Sequence, residues 1–246
     1  MTKIYGILPM AGKGIRLQPI GFSKELYPIV YNNRHYAISD FSIRAMERAG
    51  VDEIKLVVNP DKLDIAKYYS NYHKKLSIYF YSSRSLPESC LYPIESMHDE
   101  DICLFGLPDT LFAPSTGYQK VVDSLKDQRI GVCLGLFQVP DASKYDSVKF
   151  NKNMQVLEVR VKKSPPCSEY IWGIWGARVW ALKKLKKEIN SQKRQGERLL
   201  GVGFNKIAKN KHVKVICNIV GKDYFDIGTI DAVIKTNTLS GKKFYF

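Results

Sequence analysis

Residues 8–28 read LPMAGKGIRLQPIGFSKELYP, which places a glycine-rich turn and several basic side chains directly behind an apolar run. The apolar run Ile4–Leu8 predicts a first strand that ends where this turn begins. Gly12 and Gly14 lack a Cβ and can adopt positive φ, so backbone N–H groups of the turn can approach phosphate oxygens. The stretch therefore predicts a strand followed by an anion-binding loop.

Three basic residues lie within or after this turn and are suited to neutralising a polyphosphate. Arg16 carries a planar guanidinium that fits two parallel hydrogen bonds to a phosphate, whereas Lys13 and Lys24 act as mobile point charges. A bare GxG would equally describe a tight exit from a strand, but the basic residues favour phosphate binding. The candidate nucleotide-binding loop comprises Ala11, Gly12, Lys13 and Gly14.

Two common nucleotide-binding motifs do not fit this loop. A Walker loop requires GxxxxGK[ST], and a dinucleotide-binding fold requires GxGxxG at the start of a helix. Here the second glycine is followed by Ile15, Arg16 and Leu17. The loop therefore belongs to a different kind of phosphate site.

Four segments of the chain resemble those of sugar-phosphate nucleotidyltransferases, in the order found in that family. Residues 12–29, GKGIRLQPIGFSKELYPI, resemble the GxGTRLxPxxxxxxKxLxPI loop, and the SKxLxPI ending is most similar to glucose-1-phosphate thymidylyltransferases. Residues 39–59 are similar in kind and spacing to the helix and second strand that follow. FGLPDTLF at 105–112 is similar to the segment usually written GDN, and FDIGT at 225–229 resembles DTGT.

The resemblance implies a Mg²⁺ site formed by Asp109 and Asp226. Mg²⁺ prefers a few carboxylate oxygens together with waters and substrate phosphates, so two aspartates are enough. Either aspartate by itself would more simply cap a turn, and the order of the segments favours the metal. Arg16 and Lys24 then become the catalytic candidates, with Arg16 on the β and γ phosphates and Lys24 near the α or acceptor phosphate.

The implied reaction is in-line attack by a phosphate oxygen of a sugar 1-phosphate on the α-phosphorus of a nucleoside triphosphate, with release of pyrophosphate. Because the acceptor is already an anion, catalysis consists of aligning two anions and neutralising their charge. Thymidylyl or uridylyl transfer for nucleotide-sugar and polysaccharide synthesis is the leading hypothesis. The alternatives are cytidylyl transfer to a non-glucose or non-sugar phosphate, and a noncatalytic nucleotide-binding regulatory homologue.

Three segments depart from the family pattern. SRSLPESCLYP at 83–93 replaces a glycine-rich base-recognition segment, and Pro87 and Ser89 are its candidates for shaping a base pocket. YDSVKF at 145–150 stands where the family has YGVVEF, and VKKSP at 161–165 stands for EEKP. The base and the acceptor are therefore open from the sequence.

The second and third departures exchange acidic and basic side chains. Lys163 falls where the family lysine contacts the acceptor phosphate, but the accompanying glutamate is missing. Lys149, Lys162 and Lys163 would suit an acidic sugar or a small non-sugar phosphate, or they are simply solvated positions on strands. The acceptor-binding candidates are Tyr145, Lys163, Trp172 and Gly173.

Composition agrees with a single α/β enzyme. The chain has 246 residues, of which 45% are hydrophobic, enough for a sizeable core. Its net charge of +14 favours anionic partners, but the lysine-rich run 183–187 fits a solvated helix face better than a specific nucleic-acid site. Five cysteines without a CxxC pair and no signal-like or membrane-spanning apolar run lead us to expect a cytoplasmic protein. Relatives form dimers or tetramers, so a homo-oligomer fits the resemblance.

Apolar runs alternate with amphipathic segments, which predicts a three-layer, mostly parallel, Rossmann-like sheet with a small antiparallel acceptor-binding lobe. We expect one domain over 1–246, with a nucleotide-binding part at 1–140 and an acceptor-binding part at 141–246 that brings the second metal ligand. The predicted strands are 4–8, 54–58, 76–81, 102–107, 131–137, 148–150, 156–161, 170–176 and 213–220. The predicted helices are 39–49, one beginning at 59–61, 116–126, 179–194 and 201–209.

Overall fold

The computed structural model describes residues 2–12, 14, 19–31, 33–72, 75–192, 198–210 and 212–228. The strands are β1 (Ile4–Met10), β2 (Pro28–Tyr31), β3 (Arg34–Ala37), β4 (Glu53–Val58), β5 (Leu76–Phe80), β6 (Ile102–Gly106), β7 (Thr110–Ala113), β8 (Ile130–Gln138), β9 (Ser147–Phe150), β10 (Val156–Arg160), β11 (Tyr170–Arg178), β12 (Lys214–Gly221) and β13 (Asp223–Asp226). The helices are α1 (Ile38–Arg48), α2 (Leu63–Tyr69), α3 (Leu86–Leu91), α4 (Gly117–Leu125), α5 (Val179–Asn190) and α6 (Leu200–Ala208).

Most of the strands form one mixed sheet, in the order β10-β9-β11-β6-β1-β4-β5, and β8 joins β11 to β12. The pairings β1 with β4, β1 with β6, β4 with β5 and β8 with β12 are parallel. β11 runs antiparallel to β6, β8 and β9, and β10 runs antiparallel to β9. All strands of this sheet except β10 and β11 therefore run in one direction, which confirms the predicted mostly parallel sheet.

Helices cover both faces of the sheet. On one face α1, α2 and α4 bury residues such as Met46, Tyr69 and Val121 against the strands. On the other face α3, α5 and α6 bury residues such as Leu91, Leu185 and Phe204. Strands covered on both sides are apolar throughout, which explains the continuous buried runs of β6 and β8. The three-layer architecture is confirmed.

The sheet brings the predicted functional segments to one edge. Because β1, β4 and β6 are parallel, their carboxyl ends lie side by side. The glycine-rich loop follows β1, and the turn that contains Asp109 follows β6. Ligands of open α/β sheets gather at this edge.

Some parts of the predicted layout are corrected by the structure. The predicted antiparallel hairpin of β9 and β10 is present, and it extends the main sheet because Ser147 of β9 pairs with Ile171 of β11. The α5 helix ends at Asn190, earlier than the predicted Arg194, which lies outside the described residues. The hairpin β2–β3, the helix α3 and the short strands β7 and β13 are additional elements.

None of the helices within the described ranges is long and apolar enough to cross a membrane.

The close contact between β6 and α4 depends on Gly106. A Cβ at Gly106 would lie 2.0 Å from the hydroxyl oxygen of Tyr118, which is fully buried. We expect Gly106→Ala to lower the free energy of unfolding by about 1–3 kcal/mol, as overpacking of a core does. Urea denaturation measures the change. Gly21→Ala is the control, because no described atom lies within 4 Å of the added Cβ, and equal stabilities of the two variants would contradict this packing.

Candidate active site

Gly14, in the loop after β1, lies against the side chain of Lys24. Gly14 has φ of +63°, and a Cβ there would lie 3.2 to 3.6 Å from the methylene carbons of Lys24. A side chain at this position would therefore meet both backbone strain and a crowded neighbour. Ala11 is buried, and a Cβ at Gly12 would meet no described atom within 4 Å, so the backbone at Gly12 is open to a ligand. Lys13 and Arg16 lie outside the described residues.

Two tethers from the start of α2 fix the segment that carries Lys24. The backbone N–H and hydroxyl of Ser23 donate to the two carboxylate oxygens of Asp64, at 2.6 and 2.7 Å. Lys62 Nζ donates to both oxygens of Glu25 at 2.9 Å and to the carbonyl oxygen of Met10 at 3.0 Å. The residues on either side of Lys24 are thus held, and its side chain is directed toward the edge of the sheet.

The ion pair between Glu25 and Lys62 is buried. Glu25 has no solvent exposure, and the Lys62 side chain is 12% exposed. Burial raises the pKa of Glu25 above its ordinary value, while the charge and hydrogen bonds of Lys62 oppose that rise. Sequence reasoning missed this pair, since 37 residues separate its partners and no motif marks either one.

Lys24 and Asp109 form the central contact of the site. Lys24 Nζ lies 2.5 Å from Asp109 Oδ2, and the side chains are only 18% and 10% exposed. Burial disfavours the charged form of Lys24, but the charge and hydrogen bond of Asp109, with the charges of Glu25 and Asp226, outweigh it and raise the pKa of Lys24. Lys24 is therefore a permanent cation at neutral pH.

Asp226 reaches the same place through the antiparallel pair of β7 and β13. In this pair Asp226 lies opposite Thr110, the residue after Asp109. The backbone N–H of Ile227 donates to the carbonyl oxygen of Asp109 at 2.9 Å, and that of Gly228 donates to Asp226 Oδ1 at 2.8 Å. The structure thus brings together the two aspartates that the sequence indicated as metal ligands.

The oxygens of the two aspartates suit a hard divalent cation such as Mg²⁺. They are hard ligands, and Mg²⁺ keeps waters and substrate phosphates in its remaining positions. No group of three or more histidine, cysteine, aspartate or glutamate side chains with metal-binding geometry occurs within the described residues. The site therefore suits a cation that arrives with a phosphate ligand.

A cleft with about 900 Å³ of empty space, part of it open to solvent, begins at Asp226. Pro87, Tyr145 and Trp172, three of the candidates from the sequence, line it. Tyr224 lies at the same end, with its ring 5.9 Å from that of Tyr145. Burial raises the pKa of Tyr224 well above its ordinary value, and the charges of Asp226 and Asp109 add to this effect, so its hydroxyl stays protonated.

Three further candidates do not line the cleft. Ser89 is buried in α3, where its hydroxyl contacts that of Ser83 at 2.5 Å. Gly173 is buried beneath Tyr224, since a Cβ on it would lie 2.3 Å from the Tyr224 ring. Lys163 is exposed to solvent, while its neighbour Lys162 lines the cleft.

Charged side chains also line the cleft, and of these sequence reasoning assigned only Lys162 and Asp226 to a site. Lys144, Lys162 and Arg198 are its basic residues, and Asp146 is acidic in addition to Asp226. They come from a turn before β9, from the turn after β10 and from the segment before α6. In the sequence, the only indication of these charged cleft residues apart from Asp226 is that positions 146 and 162 differ from the family pattern.

The lysine-rich face of α5 is partly neutralised by neighbouring acids. Lys183 pairs with Asp99 at 2.5 Å, and Lys186 pairs with Glu95. Lys184 lies over the ring of Trp180, 5.0 Å from its centroid. These contacts reduce the charge that the helix offers to other molecules.

Comparisons with known proteins agree with this geometry. The family model described as nucleotidyl transferase matches residues 5–242. A candidate glucose-1-phosphate thymidylyltransferase from Bacillus anthracis, solved with sucrose, has a TM-score of 0.81 at 18% identity and covers 99% of this chain and 97% of its own. A UDP-glucose pyrophosphorylase solved with UDP-glucose has a TM-score of 0.80 at 16% identity, with 97% and 98% covered. A UTP-bound UGPase from Acinetobacter baumannii has a TM-score of 0.76 at 17% identity, with 97% and 93% covered.

The chain belongs to the nucleotidyl transferase family. The resemblance found in the sequence is thereby confirmed, and the protein is a nucleotidyltransferase.

The buried pair beside Lys24 can be tested through stability. We expect Lys62→Met to cost about 3–5 kcal/mol at pH 8, because Glu25 would be left buried without its counter-charge. The cost should shrink at pH 5, because the raised pKa of Glu25 lets the carboxyl take up a proton as pH falls. Urea denaturation at both pH values measures this, with the exposed Lys67→Met on the same helix as control. The double variant Glu25→Leu with Lys62→Met should lose less than Lys62→Met alone, and additive costs would refute the pairing.

Proposed function

We propose that the protein is a Mg²⁺-dependent nucleotidyltransferase that moves a pyrimidine nucleoside monophosphate from its triphosphate to a sugar 1-phosphate or a related phosphate. The observation that carries this proposal is the meeting of Lys24, Asp109 and Asp226 at one end of an open cleft. A cation and two carboxylates at the carboxyl edge of an α/β sheet suit phosphoryl-group chemistry. The product would serve nucleotide-sugar and polysaccharide synthesis.

Two parts of the chain line the cleft, and we assign each of them to one substrate. The loop after β1 and the start of α3 at Pro87 belong to residues 1–140, which we assign to the nucleoside triphosphate. Tyr145 and Trp172 belong to residues 141–246, which we assign to the acceptor. Asp226 comes from this second part but lies beside Asp109 of the first. The reacting groups would therefore meet where the two parts meet.

Catalysis in this site consists of alignment and charge neutralisation. The acceptor phosphate needs no activation, because it is already an anion. An oxygen of that phosphate forms a bond to the α-phosphorus while the bond to the β-phosphate oxygen breaks and pyrophosphate leaves. Lys24 remains protonated, so it stabilises the developing negative charge and does not act as a base.

Asp109 and Asp226 would hold the Mg²⁺ ion, which would supply further charge neutralisation at the phosphate oxygens. In the structure Lys24 provides the positive charge next to Asp109. A buried carboxylate without a cation is costly. Lys24 therefore keeps this part of the site assembled before a metal–nucleotide complex arrives.

A pyrimidine base is favoured by the proteins of similar fold. Two of them were solved with uridine nucleotides, UDP-glucose in one case and UTP in the other. In this chain Pro87, at the start of α3, is an apolar residue of the cleft wall on the side that we assign to the nucleoside triphosphate. Base choice within the pyrimidines then depends on the segment 83–93.

The proposed function predicts that the protein binds a pyrimidine nucleoside triphosphate. With Mg²⁺, one of dTTP, UTP and CTP should raise the melting temperature by several degrees, since ligand at 100 times its Kd adds about 2.7 kcal/mol. ATP and GTP should shift it less. A thermal-shift panel with all five triphosphates measures this, and pyrophosphate release with sugar 1-phosphates then tests transfer. Stabilisation by a triphosphate without any pyrophosphate would instead favour a noncatalytic nucleotide-binding protein.

Loss of either partner of the central ion pair should abolish most of the activity. We expect Lys24→Met and Asp109→Asn each to lower kcat by about 10²-fold or more, as removal of one electrostatic stabiliser does. Lys187→Met, on the solvent side of α5, is the matched control for removing a lysine. Pyrophosphate release under saturating substrates measures kcat, and near-normal turnover of a folded Lys24→Met protein would remove Lys24 from the mechanism.

A further inference from the structure

Lys162 is the basic residue of the cleft that has the fewest partners. Lys144 lies 3.6 Å from Asp141, and Arg198 donates to Asn190 at 2.9 Å and lies 3.6 Å from Glu88. Within the described residues no hydrogen bond reaches the Lys162 ammonium and no carboxylate lies within 4.0 Å of it, and its charge acts on Asp146 from a greater distance. Its charge is therefore available to a molecule in the cleft.

The backbone at Lys162 is held in an unusual conformation. Its φ is +38°, in the left-handed region that non-glycine residues rarely adopt. Asp146, on the neighbouring turn before β9, faces the backbone N–H of Lys162. Such a conformation persists only where its surroundings stabilise it. Asp146 is the charged group that lines the cleft next to this turn.

The Asp146 carboxylate is enclosed by protein groups on several sides. The indole N–H of Trp172 also faces it, and Oδ2 lies 3.2 Å from where a Cβ on Gly201 would be. Burial raises the pKa of Asp146, while Lys162 and Trp172 favour its ionised form. Neither Asp146 Oδ1 nor Trp172 Nε1 completes a hydrogen bond within the described residues, although both atoms are sealed from solvent. This carboxylate thus lines the cleft with one of its oxygens enclosed by the protein.

These contacts explain two departures from the family pattern together. The family places glycine at the position of Asp146 and glutamate at that of Lys162, and a glutamate there can accept hydrogen bonds from sugar hydroxyls. A lysine has three donors and no acceptor. The exchange therefore replaces a group that selects hydroxyl donors with one that selects negatively charged oxygens.

Given the proposed transfer to a phosphate acceptor, on which this inference rests, we propose that the acceptor carries a second anionic group in addition to the attacking phosphate. Lys162 binds that group directly, and Asp146 is the positioning residue that holds the Lys162 turn. The second group is a carboxylate or another phosphate, because the ammonium of a lysine binds either. Neutral hexose 1-phosphates lack this contact.

The test compares acceptors that differ only at carbon 6 of the sugar. Glucose 1-phosphate, glucuronic acid 1-phosphate and glucose 1,6-bisphosphate, together with the corresponding galactose compounds, present a hydroxyl, a carboxylate or a phosphate there. kcat/KM is measured from pyrophosphate release with the triphosphate that stabilises the protein. We expect about tenfold or higher kcat/KM with one of the anionic acceptors, the size of a charge-assisted contact.

Variants of Lys162 and Asp146 then test whether the Lys162 turn causes the preference for anionic acceptors. Lys162→Gln should raise the KM for the anionic acceptor and so remove the preference for it. Lys162→Arg, which keeps the positive charge, should keep most of the preference. Asp146→Asn should raise the KM for the anionic acceptor more than the KM for the neutral acceptor. The double variant Asp146→Gly with Lys162→Glu, which restores the family pattern, should prefer the neutral acceptor. Lys152→Gln, in the exposed turn between β9 and β10, controls for the loss of one positive charge.

Two negative outcomes have different meanings. Efficient use of the neutral acceptors, unaffected by Lys162→Gln, would overturn the inference and leave nucleotidyl transfer intact. Pyrophosphate from none of the acceptors, with the triphosphate still stabilising the protein, would overturn the proposed transfer to sugar 1-phosphates itself.

Discussion

The ion pair between Lys24 and Asp109 is the contact on which the candidate active site depends. It joins the loop after β1 to the turn after β6 across a distance of 2.5 Å. Because both side chains are mostly buried, each would be costly without the other. Asp226 adds its negative charge to the same cation through the β7–β13 pair. One lysine thus offsets the negative charge of two neighbouring carboxylates.

The sheet and the tethers around Lys24 contribute different kinds of constraint. The parallel order of β1, β4 and β6 determines which loops are neighbours, but it leaves the loop conformation open. Asp64 and Lys62 then hold Ser23 and Glu25 on either side of Lys24. A buried ion pair contributes little net stability, but breaking it is expensive, so it favours one conformation of the loop. Polar contacts at the start of α2 thus position the residues on either side of Lys24, in addition to the apolar core.

The elements that the sequence predicted well are those with a long apolar run or a clear amphipathic period. The continuous runs of β6 and β8 and the amphipathic pattern of α4 indicated their structure directly, and only their ends shifted. β7 and β13 contain four residues each and pair across more than a hundred positions of the chain, so neither has a local signal. The same holds for Lys62, whose partner Glu25 is 37 residues away. Ser89 and Gly173, chosen from their positions along the chain, prove to be packing residues of α3 and of the wall behind Tyr224.

The sequence by itself determined the class of fold and the family, because periodic apolar runs and motifs with fixed spacing are local properties of a chain. It also selected Asp109 and Asp226, which lie close together in the folded chain. Only the tertiary structure decided that Lys162 and not Lys163 lines the cleft, and that Asp146 lines it beside Lys162. Adjacent residues of a turn point in different directions, and a left-handed φ at Lys162 has no signature in the amino-acid order. Which charges reach a ligand depends on contacts between distant segments, and those contacts exist only in the folded chain.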